Sequence, residues 1–315
     1  MGGAQMNDPQ DIGQLLDTLT GALDLLAGYE GSALSADQIE PLPSLLDQCQ
    51  QLLAQDAPAA EIRTLHHFAC TGGTVISKCL SALPNTTLLS EVDPLSLMPT
   101  SAARTRFAPT DLVMHMRLNP RGIDEEAIIA VFLAALETLH DHLLARGQRL
   151  VLRDHAHSHF CTDRDPDSRA SLHEIVARRF PTRGLVTLRN PIDSYLSLHK
   201  LGWHSYFTPS TPEEYARRYR LFLDRHRGMP QIRYEDFVTD PETVLPQMCR
   251  LLDLPWTPDA LQLFPAIPVS GASGRQGDVL ALRPRRPVSA DLARQIEASP
   301  DFLALCGDLG YDATL

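Results

Sequence analysis

Arg63-Thr64-Leu65-His66-His67-Phe68, followed by Ala69-Cys70-Thr71-Gly72-Gly73-Thr74, is the stretch that decides the fold class. The first six residues read as a short strand, and a helix is expected over Thr74–Leu83. Between them, paired glycines let the backbone close around an oxyanion. The free N–H groups at the start of the helix, with the positive end of its dipole, would then hold that anion. Thr71 and Thr74 add hydroxyl donors. The segment is not a Walker A loop, which needs GxxxxGK followed by Ser or Thr. Lys78 lies about one turn past Thr74, so an ordinary ATP or GTP hydrolase is disfavoured.

Working outward, strand patterns at Thr87–Ser90, Leu112–Met116, Arg149–Leu152, Leu185–Leu188 and Gln231–Tyr234 alternate with helix patterns. The helices are expected at Glu125–Ala145, Ser168–Phe180, Pro191–Leu201, Pro212–Arg227 and Pro241–Leu252. Asp124 can cap the longest of these and Gly147 can end it. Strands separated by helices define an α/β fold with a central parallel sheet covered on both faces. Ligands of such sheets bind at the carboxyl ends of the strands. Residues 61–315 are read as this α/β domain. Residues 1–60 form a helical N-terminal extension, with Leu15, Leu16, Leu19, Leu23 and Leu26 at helical spacing.

The bulk properties narrow the partners. The chain has 315 residues and a net charge of −11, which argues against a nucleic-acid or anionic-membrane binder. Any anionic ligand must be met by local cations. The N-terminus carries no secretory pattern, and the apolar run Ala127–Leu136 is about half a membrane span. Six cysteines without a CxxC pair point to reduced thiols, hence a cytoplasmic location. Oligomeric state is not legible.

A second anion site is expected where the strand Leu185–Leu188 ends in Arg189-Asn190-Pro191-Ile192-Asp193, with Ser197 two turns up the next helix. Arg189 offers a bidentate fork for a phosphate, completed by the Ser197 hydroxyl. The alternative is a local salt bridge from Arg189 to Asp193.

In combination these motifs resemble the nucleotide-dependent sulfotransferases. That family holds a 5′-phosphosulfate in its first strand-loop-helix and a 3′-phosphate with Arg-(Asp or Asn)-Pro-x-Asp-x-x-x-Ser. Arg233-Tyr234-Glu235-Asp236-Phe237 looks like the family's Tyr-Glu-Asp strand, whose Tyr lies near the nucleotide. Ser273-Gly274-Arg275-Gln276-Gly277-Asp278 is similar to its basic glycine loop. The resemblance implies a P-loop-like sulfotransferase fold and 3′-phosphoadenosine 5′-phosphosulfate as donor. It places Thr71, Gly72, Gly73, Thr74, Arg189, Ser197, Tyr234, Arg275 and Gly277 at the nucleotide. The expected activity is direct in-line sulfuryl transfer to a hydroxyl or amine of a small-molecule or peptide acceptor, without a metal.

The chain departs from the family at Cys70, where a Lys or Arg usually stabilises the leaving group. His66, His67, Lys78 and Arg153 are the available substitutes. Two residues compete for the role of base. Glu91 lies seventeen residues past Thr74, a spacing similar to that of the base glutamate in protein-tyrosine sulfotransferases. His155 follows the strand Arg149–Leu152, like the base histidine of cytosolic small-molecule sulfotransferases. The alternation His155, His157, His159 would share one face of a strand and offer a metal site, but a polar loop end is the commoner reading. Trp203, Tyr206 and Phe207 would either line the acceptor pocket or pack under a loop. The competing functions are a P-loop-type small-molecule kinase and a nucleotide-binding relative without catalysis.

Overall fold

The computed structural model describes residues 60–96, 98, 110–270 and 279–315, together with 17, 19–21, 23, 24 and 44. The chain divides into two compact units, Met1–Pro58 and Ala59–Leu315. In the first, residues 17, 19–21, 23 and 24 are helical. Everything below concerns the second.

Its centre is a five-stranded parallel sheet: β1 (Ile62–His67), β2 (Thr86–Val92), β3 (Arg149–Asp154), β4 (Thr182–Leu188) and β5 (Gln231–Arg233). The spatial order is β2-β3-β1-β4-β5. The register sets Leu65 beside Arg153 on one side and Leu185 on the other. Alternate residues of each strand point to opposite faces. On one face Leu65, Val151 and Leu185 pack with Val75, Ile76 and Leu80 of α1 (Gly73–Ser81). On the other, Ile62, Leu150 and Leu152 meet Leu136 and Leu143 of α3 (Glu125–Leu144). Both sheet faces are therefore dry, as a parallel sheet requires.

Helix α3 starts where its sequence says it should. The Asp124 carboxylate accepts from the Ala127 amide at 2.7 Å, and Gly147 beyond its end takes φ +67°. It is the one helix among the described residues long and apolar enough to cross a membrane. Here Ile128, Ile129, Leu133 and Leu136 are buried in the core.

The structure corrects several expected elements. Leu112–Arg117 is a helix (α2), not a strand: Asp111 caps it through the Met114 amide at 3.0 Å. Val113 and Met116, three residues apart, pack together against the core beside α3. An apolar run this short does not distinguish a helical turn from a strand. The expected helix over 168–180 is broken into a 3₁₀ turn, Pro166–Ser168, and α5 (Leu172–Ala177), which begins at a Ser171–Glu174 capping box. The segment after β3 is a short helix, α4 (Ala156–Phe160), so His155, His157 and His159 do not form a strand face. The expected strand at Tyr234 ends one residue earlier, and Tyr234–Thr239 is a helix (α8).

Like α1 and α3, three further helices stand within a residue or two of expectation: α6 (Pro191–Lys200), α7 (Pro212–Arg225) and α9 (Pro241–Leu251). Each has Pro in its first turn, where the missing N–H costs nothing. The short α10 (Ala260–Leu263) follows. The C-terminal pair α11 (Ala290–Glu297) and α12 (Pro300–Asp308) was not foreseen, although Ser289 and Ser299 cap them as N-cap serines do.

Candidate active site

All five strands deliver a residue to one cavity of about 1230 Å³ at their carboxyl ends. β1 supplies the Cys70–Thr74 loop, β2 Glu91, β3 Arg153, β4 the following Arg189, and β5 the following Tyr234.

The loop is held by contacts that explain its glycines. Gly72 takes φ +92° and caps α1 without a side chain. A Cβ on Gly72 would sit 2.1 Å from the Tyr234 ring, and one on Gly73 would sit 2.2 Å from the His67 imidazole. The two glycines thus let the loop pass between two rings. The Gly73 and Thr74 amides lie at the helix N-terminus, where a helix offers no earlier carbonyl to its first N–H groups. Thr71 behaves differently from expectation. Its hydroxyl donates to the Phe68 carbonyl at 2.7 Å, closing the turn, and is not aimed at a ligand. Cys70, also at positive φ (+64°), presents its carbonyl to Arg189. Burial pushes its thiol up to about 12, so it is not a thiolate nucleophile at neutral pH.

Of the four candidate substitutes for a cation at position 70, Arg153 is the one bonded to the loop. It is 4% exposed. Its guanidinium donates to the Thr74 hydroxyl (3.1 Å), His67 Nε2 (3.1 Å), the Ser90 hydroxyl (2.8 Å) and the Ser270 carbonyl (2.9 Å). Its charge lies 3.7 Å from the Glu91 carboxylate. Burial lowers the guanidinium to about 10, against the pull of Glu91 and Asp154; it stays charged at neutral pH. The other proposed substitutes fail on geometry. His67 accepts a hydrogen bond from Arg153, and burial, then Arg153 itself, holds it well below the usual histidine range, so it is neutral. His66 turns to Asp154 in the interior. Neither His66 nor Lys78 lines the cavity.

Glu91 reaches the cavity because β2 is irregular. The pairing with β3 shifts register between Leu89 and Val92, and Glu91 takes φ +61°. Bulges of this kind re-aim a side chain beside a site. Two residues on, Asp93 fixes the bulged end. It receives both Arg169 nitrogens, at 2.8 and 2.7 Å, and the Ser158 hydroxyl at 2.5 Å. The ion pair is almost entirely buried on both sides. Burial raises the Asp93 carboxyl, but the Arg169 hydrogen bonds and charge, with Ser158, outweigh it and hold it below the usual carboxylate value. Neither Asp93 nor Arg169 was singled out from the sequence. They lie 76 residues apart, and no local pattern joins them.

Arg189 lies over the Tyr234 ring at 5.0 Å and donates to the Cys70 carbonyl at 2.9 Å. The alternative pairing with Asp193 is not formed. Asp193 goes instead to Arg285 at 2.9 Å, which ties the basic segment 283–286 to α6. Ser197 lines the same cavity, its hydroxyl resting on the Asp193 carbonyl at 2.8 Å. Arg283 and Arg286 complete the cationic rim. Arg275 and Gly277 lie outside the described residues.

His155 also lines the cavity, on the far side of Arg153 in the chain. Beyond it, His157 packs on Trp203 at 4.6 Å and Tyr206 at 6.0 Å, so Trp203 and Tyr206 line the cavity while Phe207 is buried in the core. Burial and the nearby His155 lower His157 to about 3, leaving it uncharged.

A parallel sheet with a glycine loop, two arginines and a carboxylate around one cavity at its carboxyl edge defines an α/β protein with its candidate site where such sheets bind ligands. The profile of the sulfotransferase family matches residues 68–258, and the chain belongs to that family. No curated protein matches the chain. Among solved structures it is similar to the sulfotransferase domain from the curacin biosynthetic pathway (16% identity, 81% of this chain and 99% of that one, TM-score 0.47). It is also similar to the sulfotransferase domain from the Synechococcus PCC 7002 olefin synthase (16%, 82% and 97%, 0.46) and to sulfotransferase STF9 from Mycobacterium avium (17%, 84% and 79%, 0.43).

Proposed function

We propose that this sulfotransferase uses 3′-phosphoadenosine 5′-phosphosulfate as donor and transfers its sulfuryl group in line to a hydroxyl or amine. The carrying observation is the convergence of Arg153, Glu91 and the Thr74 end of the glycine loop within one cavity. The Gly72–Thr74 backbone holds the 5′-phosphosulfate. Arg189 and Ser197 hold the 3′-phosphate, with Tyr234 against the nucleotide. As the acceptor atom bonds to sulfur, its proton passes to the Glu91 carboxylate. The sulfur–oxygen bond to the phosphate breaks, and the electron pair stays on the former bridging oxygen, which Arg153 stabilises. Such charge stabilisation by a fixed, water-excluded donor is a large catalytic contribution. Glu91 is preferred over His155 as base because its carboxylate sits at the Arg153–Thr74 end of the cavity.

The test is calorimetric titration of the full chain with 3′-phosphoadenosine 5′-phosphate, in parallel with ATP and magnesium. Saturable bisphosphate binding that disappears in Arg189→Ala is the expected result. Binding of ATP with magnesium and not of the bisphosphate would put the kinase reading ahead of this one.

A further inference from the structure

Behind the active site, on the opposite side of β1 from the glycine loop's helix, three potential ligands converge in the dry interior. His66 on β1, Asp154 at the end of β3 and His226 just past α7 are 0%, 3% and 1% exposed. One ligand atom from each lies within 4.8 Å of the other two. His66 Nδ1 is 2.9 Å from Asp154 Oδ2, and His226 Nε2 is 4.0 Å from the same oxygen.

The hydrogen bonds fix which nitrogens carry lone pairs. His226 Nδ1 lies 2.7 Å from the Phe222 carbonyl. A carbonyl only accepts, so Nδ1 bears the hydrogen and Nε2 points its lone pair toward the carboxylate. That Nε2 is buried and has no hydrogen-bond partner among the described residues; the same is true of His66 Nε2. Two acceptors therefore face each other across 4.0 Å, buried except where Asp154 borders the cavity. The Asp154 carboxylate receives one side-chain hydrogen bond, from a neutral imidazole. A buried anion so poorly matched is costly. A cation between Asp154 Oδ2 and the two imidazoles pairs with the carboxylate and with the His226 Nε2 lone pair, the hydrogen of His66 leaving Nδ1 for Nε2 as that nitrogen takes the ion.

We infer that His66, Asp154 and His226 form a structural site for a divalent transition metal of the zinc class, behind the sulfuryl-transfer cavity. Two imidazoles and a carboxylate suit such an ion better than calcium or magnesium, which take oxygen ligands. Zinc bonds of about 2.0–2.1 Å set tetrahedral ligands about 3.3 Å apart; the two pairs on Asp154 stand at 2.9 and 4.0 Å and all three atoms within 4.8 Å, so the His226 ring must close in as the ion enters. The Phe222 carbonyl behind His226 is the outer partner that metal-bound histidines carry. His173, whose ring lies 5.8 Å edge-on from His66 and whose Nδ1 has no partner among the described residues, stands next to this group but outside it. The ion would clamp β1, β3 and the end of α7 directly behind Arg153 and His67. The in-line transfer itself needs no metal, so this site goes beyond the proposed function and does not depend on it.

The experiment uses the tag-free full chain, produced in zinc-supplemented medium and passed through a chelating resin. Elemental analysis should find about one zinc per chain, and X-ray absorption should report nitrogen and oxygen neighbours only. In His226→Ala, competition against a chromogenic chelator should read more than about a 100-fold weaker zinc affinity, beyond the loss caused by removing a supporting residue. Because that variant can lose its fold, the wild-type chain supplies the second reading. Zinc added back to the stripped protein should raise its unfolding temperature. Absence of zinc with no such rise overturns the site. So does sulfur in the coordination shell, which would assign the ion to cysteines. Unchanged zinc affinity in a folded His226→Ala overturns it as well.

Discussion

Arg153 divides its donors among Thr74, His67, Ser90 and Ser270 while keeping its charge 3.7 Å from Glu91. A planar fork can do this; a lysine ammonium cannot span the same partners. Arg153→Lys should therefore retain much of the bisphosphate affinity but lose turnover, whereas Arg153→Met should lose both. The expected fall in kcat for Arg153→Met is about 10²–10³-fold, and a variant with unchanged kcat would remove Arg153 from the chemistry. Glu91→Gln should leave bisphosphate binding intact and lower transfer by about 10²–10⁴-fold, the contribution of a positioned base. The same loss in His155→Gln, with Glu91→Gln active, would reverse the assignment. Gly73→Ala probes the loop differently. Its Cβ would meet the His67 ring at 2.2 Å, so calorimetry should show weakened bisphosphate binding, rescued in part by His67→Ala. The loop glycines, Arg189 and Ser197 were legible as neighbours of one cavity because their signals sit within a few residues of chain. Arg153 was only one of four substitutes, since its contacts lie 63 to 117 residues away. The inward turn of the Thr71 hydroxyl was illegible for a related reason: side-chain direction is set by the turn, not by residue type.

At the scale of elements, the position of Glu91 depends on a bulge in β2 whose end is anchored by Asp93 and Arg169. Removing one partner of a buried ion pair leaves the other charge uncompensated, at about 3–5 kcal/mol. Arg169→Met should lower the unfolding free energy obtained from denaturant titration by that amount. The pH dependence gives a sharper reading. In the wild type the Asp93 carboxyl is held below its ordinary value. Its contribution is therefore present above about pH 4, the unfolded value, and fades as pH falls through the folded value. In Arg169→Met the buried, unpaired carboxyl prefers its proton, so the deficit relative to wild type should shrink on acidification from pH 7 to 5. A constant deficit would mean that Arg169 acts by packing alone. Elements were legible where a cap or proline marked them, as at Asp124, Pro191, Pro212 and Pro241. They were misread where a short apolar run fits either period, as at Leu112–Arg117, or where a strand ends by turning directly into a helix, as at Tyr234.

The whole molecule carries a net charge of −11, whereas its cavity sets Arg153, Arg164, Arg189, Lys200, Arg283 and Arg286 against the carboxylates of Glu91, Asp154, Asp163, Asp193 and Glu235. Over a chain this acidic, repulsion between the body of the protein and a multiply charged anion is screened within about 8 Å at physiological ionic strength. The cavity cations act at contact distance and are screened far less. The alternation of strands and helices made the parallel sheet legible, whereas the meeting of these charges depends on which strand ends become neighbours, as the order β2-β3-β1-β4-β5 dictates. Because every strand contributes to the cavity, an anion bound there is linked to the sheet as a unit and not to one loop. A ligand that binds only the folded state stabilises it by about 2.7 kcal/mol at a hundredfold excess over Kd. For a unit of this size, about 2–4 °C per kcal/mol applies, so saturating 3′-phosphoadenosine 5′-phosphate should raise the unfolding temperature by about 5–10 °C. ATP with magnesium should not match it, and Arg189→Ala should abolish the rise. Hydrogen exchange should slow together at Cys70–Thr74, at the start of α6 and along the ends of β3 and β5. Protection confined to the glycine loop, with no shift in unfolding temperature, would show that the strand ends do not act as one site.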